Sequence, residues 1–545
     1  EMNLKQMITT PTRITDTCES LIDVILTSAP NLVLKSRVLD IIISDHLPIF
    51  TALRLKLPKP SPKFALTRSY KNYDASKFII HLASRAEELT SIFDIPNPNS
   101  KLEIFNSALQ STLDTHAPFK LTKIRERTCP LVTSEIKKQM KTRDHLHRRY
   151  QRTRNIDDWN KFKDAQRSIK SILTAAEREY VSTEISTNKD NPRSLWKLIN
   201  KCIPSKDRPK LTYNNNHEMV AKEFNQYFQS VGKTTAEKAT KLALDNNISI
   251  STELEHQPER TNRPVEDIFN FTPVSLNDVK ESIMSMPSNK SPGPDKITMR
   301  IIKESLPVIL GPLTDIINST FHTSIFPESW KIAEILPLLK EGDHEIPANN
   351  RPLSMLNVLS KVCEKLALKQ FSNFLNRTGR LSNHQSGNKK HHSTETLNIM
   401  ISDFLLNAMD NKKLTALVLL DLSKAFDSID HIILLRKLRR IGVSDQALRW
   451  FRSYLSDRKQ FVRIGSATSE TLPITHGVPQ GAILSPLLFC IYINDLPSVP
   501  QALNLESFVD DSKVFMSFHI DDITNAKKKI EEDLHLVATW CFQNS

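Results

Sequence analysis

Asp510 and Asp511 stand side by side in ESFVDDSKVFMSF (Glu506 to Phe518), an alternating apolar run that reads as a β-hairpin with its tip at Asp510-Asp511-Ser512. Adjacent carboxylates repel and are costly to desolvate, so they persist on a half-buried hairpin when water or a cation compensates them. Taken alone, the doublet reads equally as a solvated turn, since Asp and Ser are ordinary turn residues. A third carboxylate precedes it: in LTALVLLDLSKAFDSIDH a nearly continuous apolar strand, Thr415 to Leu420, delivers Asp421 at its carboxyl end and then enters a helix. An aspartate at the end of a buried strand is held rigidly and costs stability unless it binds something. One carboxylate on a strand end and two on a hairpin tip are the parts needed to hold two Mg²⁺ ions for in-line phosphoryl transfer. Between them lies ITHGVPQGAILSPLLFCIYINDLP, whose Gly477, Pro479 and Gly481 allow close backbone approach to a ligand, followed by an apolar helix from Ile483.

Positioning such groups takes a large scaffold, and 545 residues suffice for roughly three or four domains. The formal charge of +13 points to a polyanionic partner, nucleic acid ahead of acidic lipid. No apolar run reaches the length of about 18 residues that a membrane span needs. Six cysteines without a C-x-x-C pair argue against a zinc site or a disulfide framework and suit a reducing compartment. Residues 1–57 read as strands, LIDVILTS (Leu21 to Ser28) and VLDIIISDHLPIFTALRL (Val38 to Leu55), and 58–74 as a Pro-rich basic linker. Residues 75–235 turn helical and basic, with 24 Lys/Arg against 11 Asp/Glu between Lys120 and Lys210. Tyr150, Trp159, Phe162, Tyr180 and Trp196 are interleaved there, either as core stripes of the helices or as stacking platforms for bases. Residues 236–270 read as a second, polar linker. From 271 to 545 helices alternate with strand-like runs, an α/β (α+β) pattern with a mixed sheet.

The motifs in this last region resemble the reverse transcriptase of non-LTR (LINE-type) retrotransposons. They are, in chain order, SPGPDKI (Ser291 to Ile297), WKIAEILPLLKEGD (Trp330 to Asp343), NNRPLSMLNVLSKVCEKL (Asn349 to Leu366), HQSGNKKHHSTET (His384 to Thr396), DLSKAFDSIDH (Asp421 to His431), GVPQGAILSPLLF (Gly477 to Phe489) and FVDD (Phe508 to Asp511). The resemblance implies a right-hand polymerase with fingers and palm, copying RNA into DNA. By position, Asp421, Asp510 and the carbonyl of Leu422 would hold two Mg²⁺ or Mn²⁺ ions, with Asp511 completing the site. Phe426 would be the bulky gate against a ribonucleotide 2′-hydroxyl, Gln480 and Gly481 would lie along the incoming dNTP, and Lys340 and Arg351 would clamp its triphosphate.

SLIDVILTS followed by ISDHLPIF resembles the carboxyl end of an apurinic-type endonuclease, in which Asp23 would orient His46 and Asp45 would lie near the metal. The module's other metal-binding residues would precede residue 1, so this remnant is not expected to cut DNA. The chain also departs from the family pattern at Asn350 in NNRPLS, at Asn388 and His391 in GNKKHH, and at FVDD in place of FADD. The family's next motif, primer-gripping turn and thumb would follow TWCFQNS, so weak or absent processive synthesis is expected. Two other readings stay open: a catalytically inactive nucleic-acid-binding remnant, and an intron-encoded reverse transcriptase or RNA-dependent RNA polymerase. Phe426 and the endonuclease resemblance argue against the second. For the parent protein the resemblance implies target-primed synthesis, with template RNA, a target-DNA primer 3′ end and dNTPs as partners. It would be made in the cytoplasm and act in the nucleus, with no targeting signal evident.

Overall fold

The computed structural model describes residues 4–15, 17–39, 46–54, 64–123, 133–189, 191, 194–196, 198–199, 213, 216–246, 268–387, 389, 392–422 and 424–544. Asp45, Asn388, His391, Cys129, Cys202 and most of the second expected linker lie outside them. The chain divides into two compact units, residues 1–65 with 121–128 and residues 66–120 with 129–545.

The first unit is built of strand pairs. Lys5–Gln6 pairs with Leu26–Thr27, Arg13–Thr15 with Cys18–Ser20, and Val33–Val38 with Ile49–Leu53, all antiparallel. The strand expected from Leu21 to Ser28 shrinks to Leu26–Thr27. The Thr12 hydroxyl takes the N–H groups of Ile22 (3.2 Å) and Asp23 (3.0 Å), so these donors are spent on a side chain and leave the ladder.

The second unit is organised around long helices. Met299–Thr323 is capped by the Thr298 hydroxyl and ends at Ser324 with φ +59°, while Val358–Thr378 ends at Gly379 in the left-handed conformation. Phe321, Phe326, Trp330, Phe371, Trp450, Phe451 and Tyr454 are buried between them, with Trp450 and Tyr454 stacked at 5.8 Å. Helices Ala75–Ala83 and Pro98–His116 join this same core through Phe78, Leu82, Leu102, Phe105 and Leu109. The sequence assigns them instead to a basic extension; their apolar stripes, not the regional charge, decide where they pack.

One sheet runs Asn350–Met355, Ile332–Leu339, Arg458–Ile464, with Ala467–Thr468 and Leu472–Ile474 also paired to the third strand. The first pair is antiparallel, whereas Ile332–Leu339 and Arg458–Ile464 are parallel. Helix His217–Asp245 covers one face, packing Val220, Ala221, Phe224 and Phe228 on Ala333, Ile335, Val462 and Ile464. This helix continues ten residues past 235, through the start of the expected second linker, because Ala243 still finds a buried site. The first expected linker likewise contains a strand, Phe64–Arg68.

A second sheet carries Leu414–Leu420, Asp511–Phe518 and Asn504–Phe508, all antiparallel. One face, with Val418, Leu420, Leu505 and Val514, lies on the main core; on the other, helix Thr394–Asp410 packs Leu397, Ile401 and Phe404 on Phe515. The strand before Asp421 is not the fully buried one expected: Leu417 and Leu419 are 42% and 69% exposed. It is an edge strand of this sheet, and these two leucines lie on the face turned away from the main core. The run after Asp421 is a turn, and the next helix starts at His431.

Ser134–Thr153 and Ile156–Thr187 form an antiparallel helical hairpin, its turn made by Arg154 at φ +55° and Asn155, whose side chain caps the second helix. Tyr150, Trp159 and Phe162, all half-buried, pack in series (4.8 and 5.5 Å), whereas Trp196 is exposed. Among the described residues no helix is long and apolar enough to cross a membrane.

Candidate active site

Asp421 follows the strand Leu414–Leu420, whose last residue pairs with Ser512. The neighbouring hairpin closes at the pair Phe508 and Asp511, leaving Val509 and Asp510 as its tip. Asp511 is thus the first residue of the returning strand rather than part of the tip. The register sets Asp421 across from the Asp510-Asp511 end of the hairpin. The buried Ser507 and Ser512 hydroxyls, 2.8 Å apart, tie the two hairpin strands just below. Leu422 turns back half-buried against the core.

Asp421 and Asp511 are exposed and Asp510 is half-buried. Among the described residues none of the three makes a side-chain hydrogen bond or ion pair. No group of three or more His, Cys, Asp or Glu forms a ready metal cage there or elsewhere among those residues. Three uncompensated carboxylates at one end of a sheet are an all-oxygen donor set, which fits a hard divalent cation.

The loop Gly477 to Gly481 is pinned on two sides. Val478 N–H donates to the Phe426 carbonyl and Gly477 N–H to the Ile429 carbonyl, both at 2.8 Å, while the Gln480 carbonyl accepts Ser354 N–H at 2.8 Å. Gly481 has φ +121°, and a Cβ there would lie 2.8 Å from the Ser354 carbonyl oxygen, so only glycine fits the approach. The Gln480 amide donates to both carboxylate oxygens of Asp427 at 2.9 Å. Burial pushes Asp427 up to about 6, against the opposing pull of that amide and of Lys424. The Phe426 ring stacks on Phe489 at 5.0 Å and 24°, which fixes its direction.

Arg351 lies on the strand Asn350–Met355 and Lys340 directly follows its antiparallel neighbour Ile332–Leu339. Arg351 pairs with Leu338, and Lys340 N–H donates to the Asn349 carbonyl at 2.8 Å. Both side chains are exposed and carry no ion pair among the described residues. Asn350, one of the departures from the family pattern, is buried, and its amide donates to the carbonyls of His344 (3.1 Å) and Ile346 (2.8 Å), holding the turn between these strands.

The helix after the glycine loop starts at Ser485, two residues later than expected. Glu364 anchors the residues just before it: its carboxylate accepts the N–H groups of Ile483 (2.7 Å) and Leu484 (3.2 Å). Burial drives Glu364 upward in pKa, partly offset by Arg458 and those two N–H groups. Neither Glu364 nor Asp427 stands out in sequence as a partner of this loop; each contact joins segments more than 50 residues apart.

In the first unit, His46 Nδ1 lies 2.9 Å from an Asp23 oxygen. The hydrogen bond to His46, with a second from Thr12, lowers the Asp23 pKa.

The match with a family model falls on the second unit. Residues 338–544 match the family described as reverse transcriptase (RNA-dependent DNA polymerase), and the chain carries a domain of that family. Its kind is given by relatives: 25% identity over 528 residues with the probable RNA-directed DNA polymerase from transposon BS, and 27% over 498 residues with the RNA-directed DNA polymerase from mobile element jockey, both of Drosophila melanogaster. These alignments cover 91% and 88% of this chain and 55% and 51% of the relatives. A type-1 retrotransposable element R2 polyprotein of Popillia japonica is 23% identical over 46% of this chain and 34% of its own length. The chain is therefore homologous to the RNA-directed DNA polymerases of non-LTR retrotransposons and spans about half the length of the first two curated relatives. Residues 132–192, the helical hairpin, also match the family described as female sterile protein K10 C-terminal domain.

Proposed function

We propose that this chain is the polymerase part of a non-LTR retrotransposon protein and joins dNTPs to a primer 3′-hydroxyl on an RNA template. The observation that carries the reading is the register that sets uncompensated Asp421 across from the Asp510-Asp511 hairpin end, inside the reverse transcriptase domain. In this reading the second sheet is the palm and the first sheet, with Lys340 and Arg351, belongs to the fingers. Asp421, Asp510 and Asp511, with the Leu422 carbonyl, would hold two divalent ions, Mg²⁺ or Mn²⁺. Such ions, when bound, lower the pKa of the primer hydroxyl and neutralise charge on the phosphates.

The chain's own residues supply the rest. Lys340 and Arg351, exposed and unpaired among the described residues, are free to take a triphosphate, Arg351 by a two-pronged contact and Lys340 as a point charge. Phe426, fixed by its stack on Phe489, gates the sugar. The loop at Gln480 and Gly481, tied to Ser354 and Asp427, forms a stiff floor under the nucleotide. The basic helical hairpin would bind template RNA through phosphates. The Asp23 and His46 pair, with Asp45, would be the end of a nuclease whose nick provides the primer in target-primed synthesis, which places the parent protein's work in the nucleus.

Primer extension on an RNA template with dNTPs and Mg²⁺, comparing this chain with Asp510→Asn, tests the proposal. Synthesis that is lost in the variant supports it. Equal synthesis by both refutes the assignment of Asp510, and no synthesis by a folded chain that still binds RNA refutes polymerase activity in these 545 residues.

A further inference from the structure

The carboxylate-bearing hairpin depends on a segment that the reaction scheme leaves without a role, His384 to Gly387. It runs along the outer edge of Asn504–Phe508: Ser507 N–H donates to the His384 carbonyl at 2.8 Å and Ser386 N–H to the Ser507 carbonyl at 2.9 Å. Between them Gln385 is 2% exposed and turns its amide onto the hairpin tip. Its Oε1 accepts Val509 N–H at 3.0 Å and Gly387 N–H at 2.7 Å, and its Nε2 donates to the Val509 carbonyl at 3.3 Å. One side chain thus satisfies both backbone groups of the residue just before Asp510.

Val509 requires that hold. Its φ is +58°, and a β-branched residue in the left-handed region is a strained outlier that persists only where the surroundings impose it. The tip position suits Gly or Asn on backbone grounds, but Val509 packs its side chain against the core. Gly387 completes the clamp: a Cβ there would lie 2.6 Å from Val509 Cγ2 and 2.7 Å from Val509 N.

We propose that Gln385 is a positioning residue for the polymerase reaction: its amide holds Val509 in the strained conformation that aims the Asp510 and Asp511 carboxylates toward Asp421. The inference rests on the reading of those three aspartates as the metal-holding group. A buried amide suits the task because it presents a donor and an acceptor at once. Groups that orient metal ligands are worth about 10- to 100-fold in affinity or activity when removed.

The test uses the 545-residue chain with Gln385→Leu, Gln385→Glu, Val509→Gly, the double variant Gln385→Leu/Val509→Gly, and Asp510→Asn. Mn²⁺ affinity is read by electron paramagnetic resonance, hairpin opening by hydrogen exchange at the Val509 and Asp510 amides, and synthesis by primer extension. Gln385→Leu is expected to weaken Mn²⁺ binding and slow synthesis by about 10- to 100-fold and to speed exchange at Val509. Gln385→Glu, which keeps the acceptor and loses the donor, should fall between. Adding Val509→Gly to Gln385→Leu should recover most of the loss, since glycine adopts this φ without restraint.

Unchanged Mn²⁺ affinity and Val509 exchange in Gln385→Leu would overturn the proposal, as would a loss that Val509→Gly does not relieve in a chain with unaltered melting. Asp510→Asn separates the two levels. If it leaves Mn²⁺ affinity unchanged, the metal reading falls and takes the purpose of Gln385 with it. If it abolishes binding while Gln385→Leu does not alter it, only the Gln385 assignment falls.

Discussion

The β-rich first unit and the reverse transcriptase domain treat their apolar residues in opposite ways. In the first, Ile8 and Thr12 are the fully buried residues among those described, while Leu21, Ile22, Val24, Leu26 and Leu34 are exposed. In the second, a continuous core joins helices Met299–Thr323, Val358–Thr378 and Asp445–Leu455 to the underside of the carboxylate sheet. The acidic groups differ in parallel. Asp23 is half-buried and compensated by His46, whereas Asp421, Asp510 and Asp511 have no side-chain partners among the described residues, at the end of a sheet packed on both faces. A group of uncompensated charges has to rest on a rigid base, because the packing must outweigh the repulsion; the described residues of the first unit bury few side chains.

The sharpest way to break this contrast is to remove the unpaired charge. Asp421→Asn or Asp510→Asn is expected to cut primer extension on the order of 10³-fold without lowering the melting temperature, since no folded-state partner is lost. A melting temperature that falls along with activity would mean that these carboxylates are structural.

Packing is the next lever. Trp450→Ala, in the buried aromatic cluster, should cost about 3–5 kcal/mol in urea unfolding. Leu34→Ala, exposed on the first unit, should stay within about 0.5 kcal/mol. Comparable losses at both positions would abolish the distinction between the units.

A smaller effect is expected from Asp295, which burial raises to about 6 against the pull of Ile297 N–H and Lys296. A carboxyl raised above its unfolded value binds its proton more tightly in the folded state. Its contribution to stability is therefore present at low pH and is lost as pH rises from about 4 through about 6. Asp295→Asn should gain up to about 3 kcal/mol over the parent at pH 7, a gain that vanishes near pH 4, as read by urea unfolding at the two pH values.

The smallest change belongs to the first unit. His46→Ala removes the main cause of the lowered Asp23 pKa. The stability this pair contributes is present above the usual carboxylate range and lost as pH falls through the Asp23 value. Hydrogen exchange at the Ile22 and Asp23 amides should quicken slightly at neutral pH and not at strongly acid pH, with primer extension unchanged. A change in synthesis would couple the two units functionally.

What the sequence determined by itself was local. Alternation and apolar runs located a strand at Thr415 to Leu420 and a hairpin at Glu506 to Phe518, which the structure shows as Leu414–Leu420, Asn504–Phe508 and Asp511–Phe518, because a two-residue side-chain period is written directly in the chain. The order of the motifs likewise announced the reverse transcriptase domain. Where the reading failed, a distant group had intervened. Thr12 took the N–H groups that Leu21 to Ser28 needed for a strand, and apolar stripes drew Ala75–Ala83 and Pro98–His116 out of the basic region into the core. The proposed site divides the same way. The three aspartates could be named from their motifs, but the contacts of Gln385 with Val509, Asp427 with Gln480 and Glu364 with Ile483 join residues 124, 53 and 119 positions apart. Only tertiary structure decides such pairs, because a hydrogen bond depends on where the folded core brings two groups together, and no local pattern records that meeting.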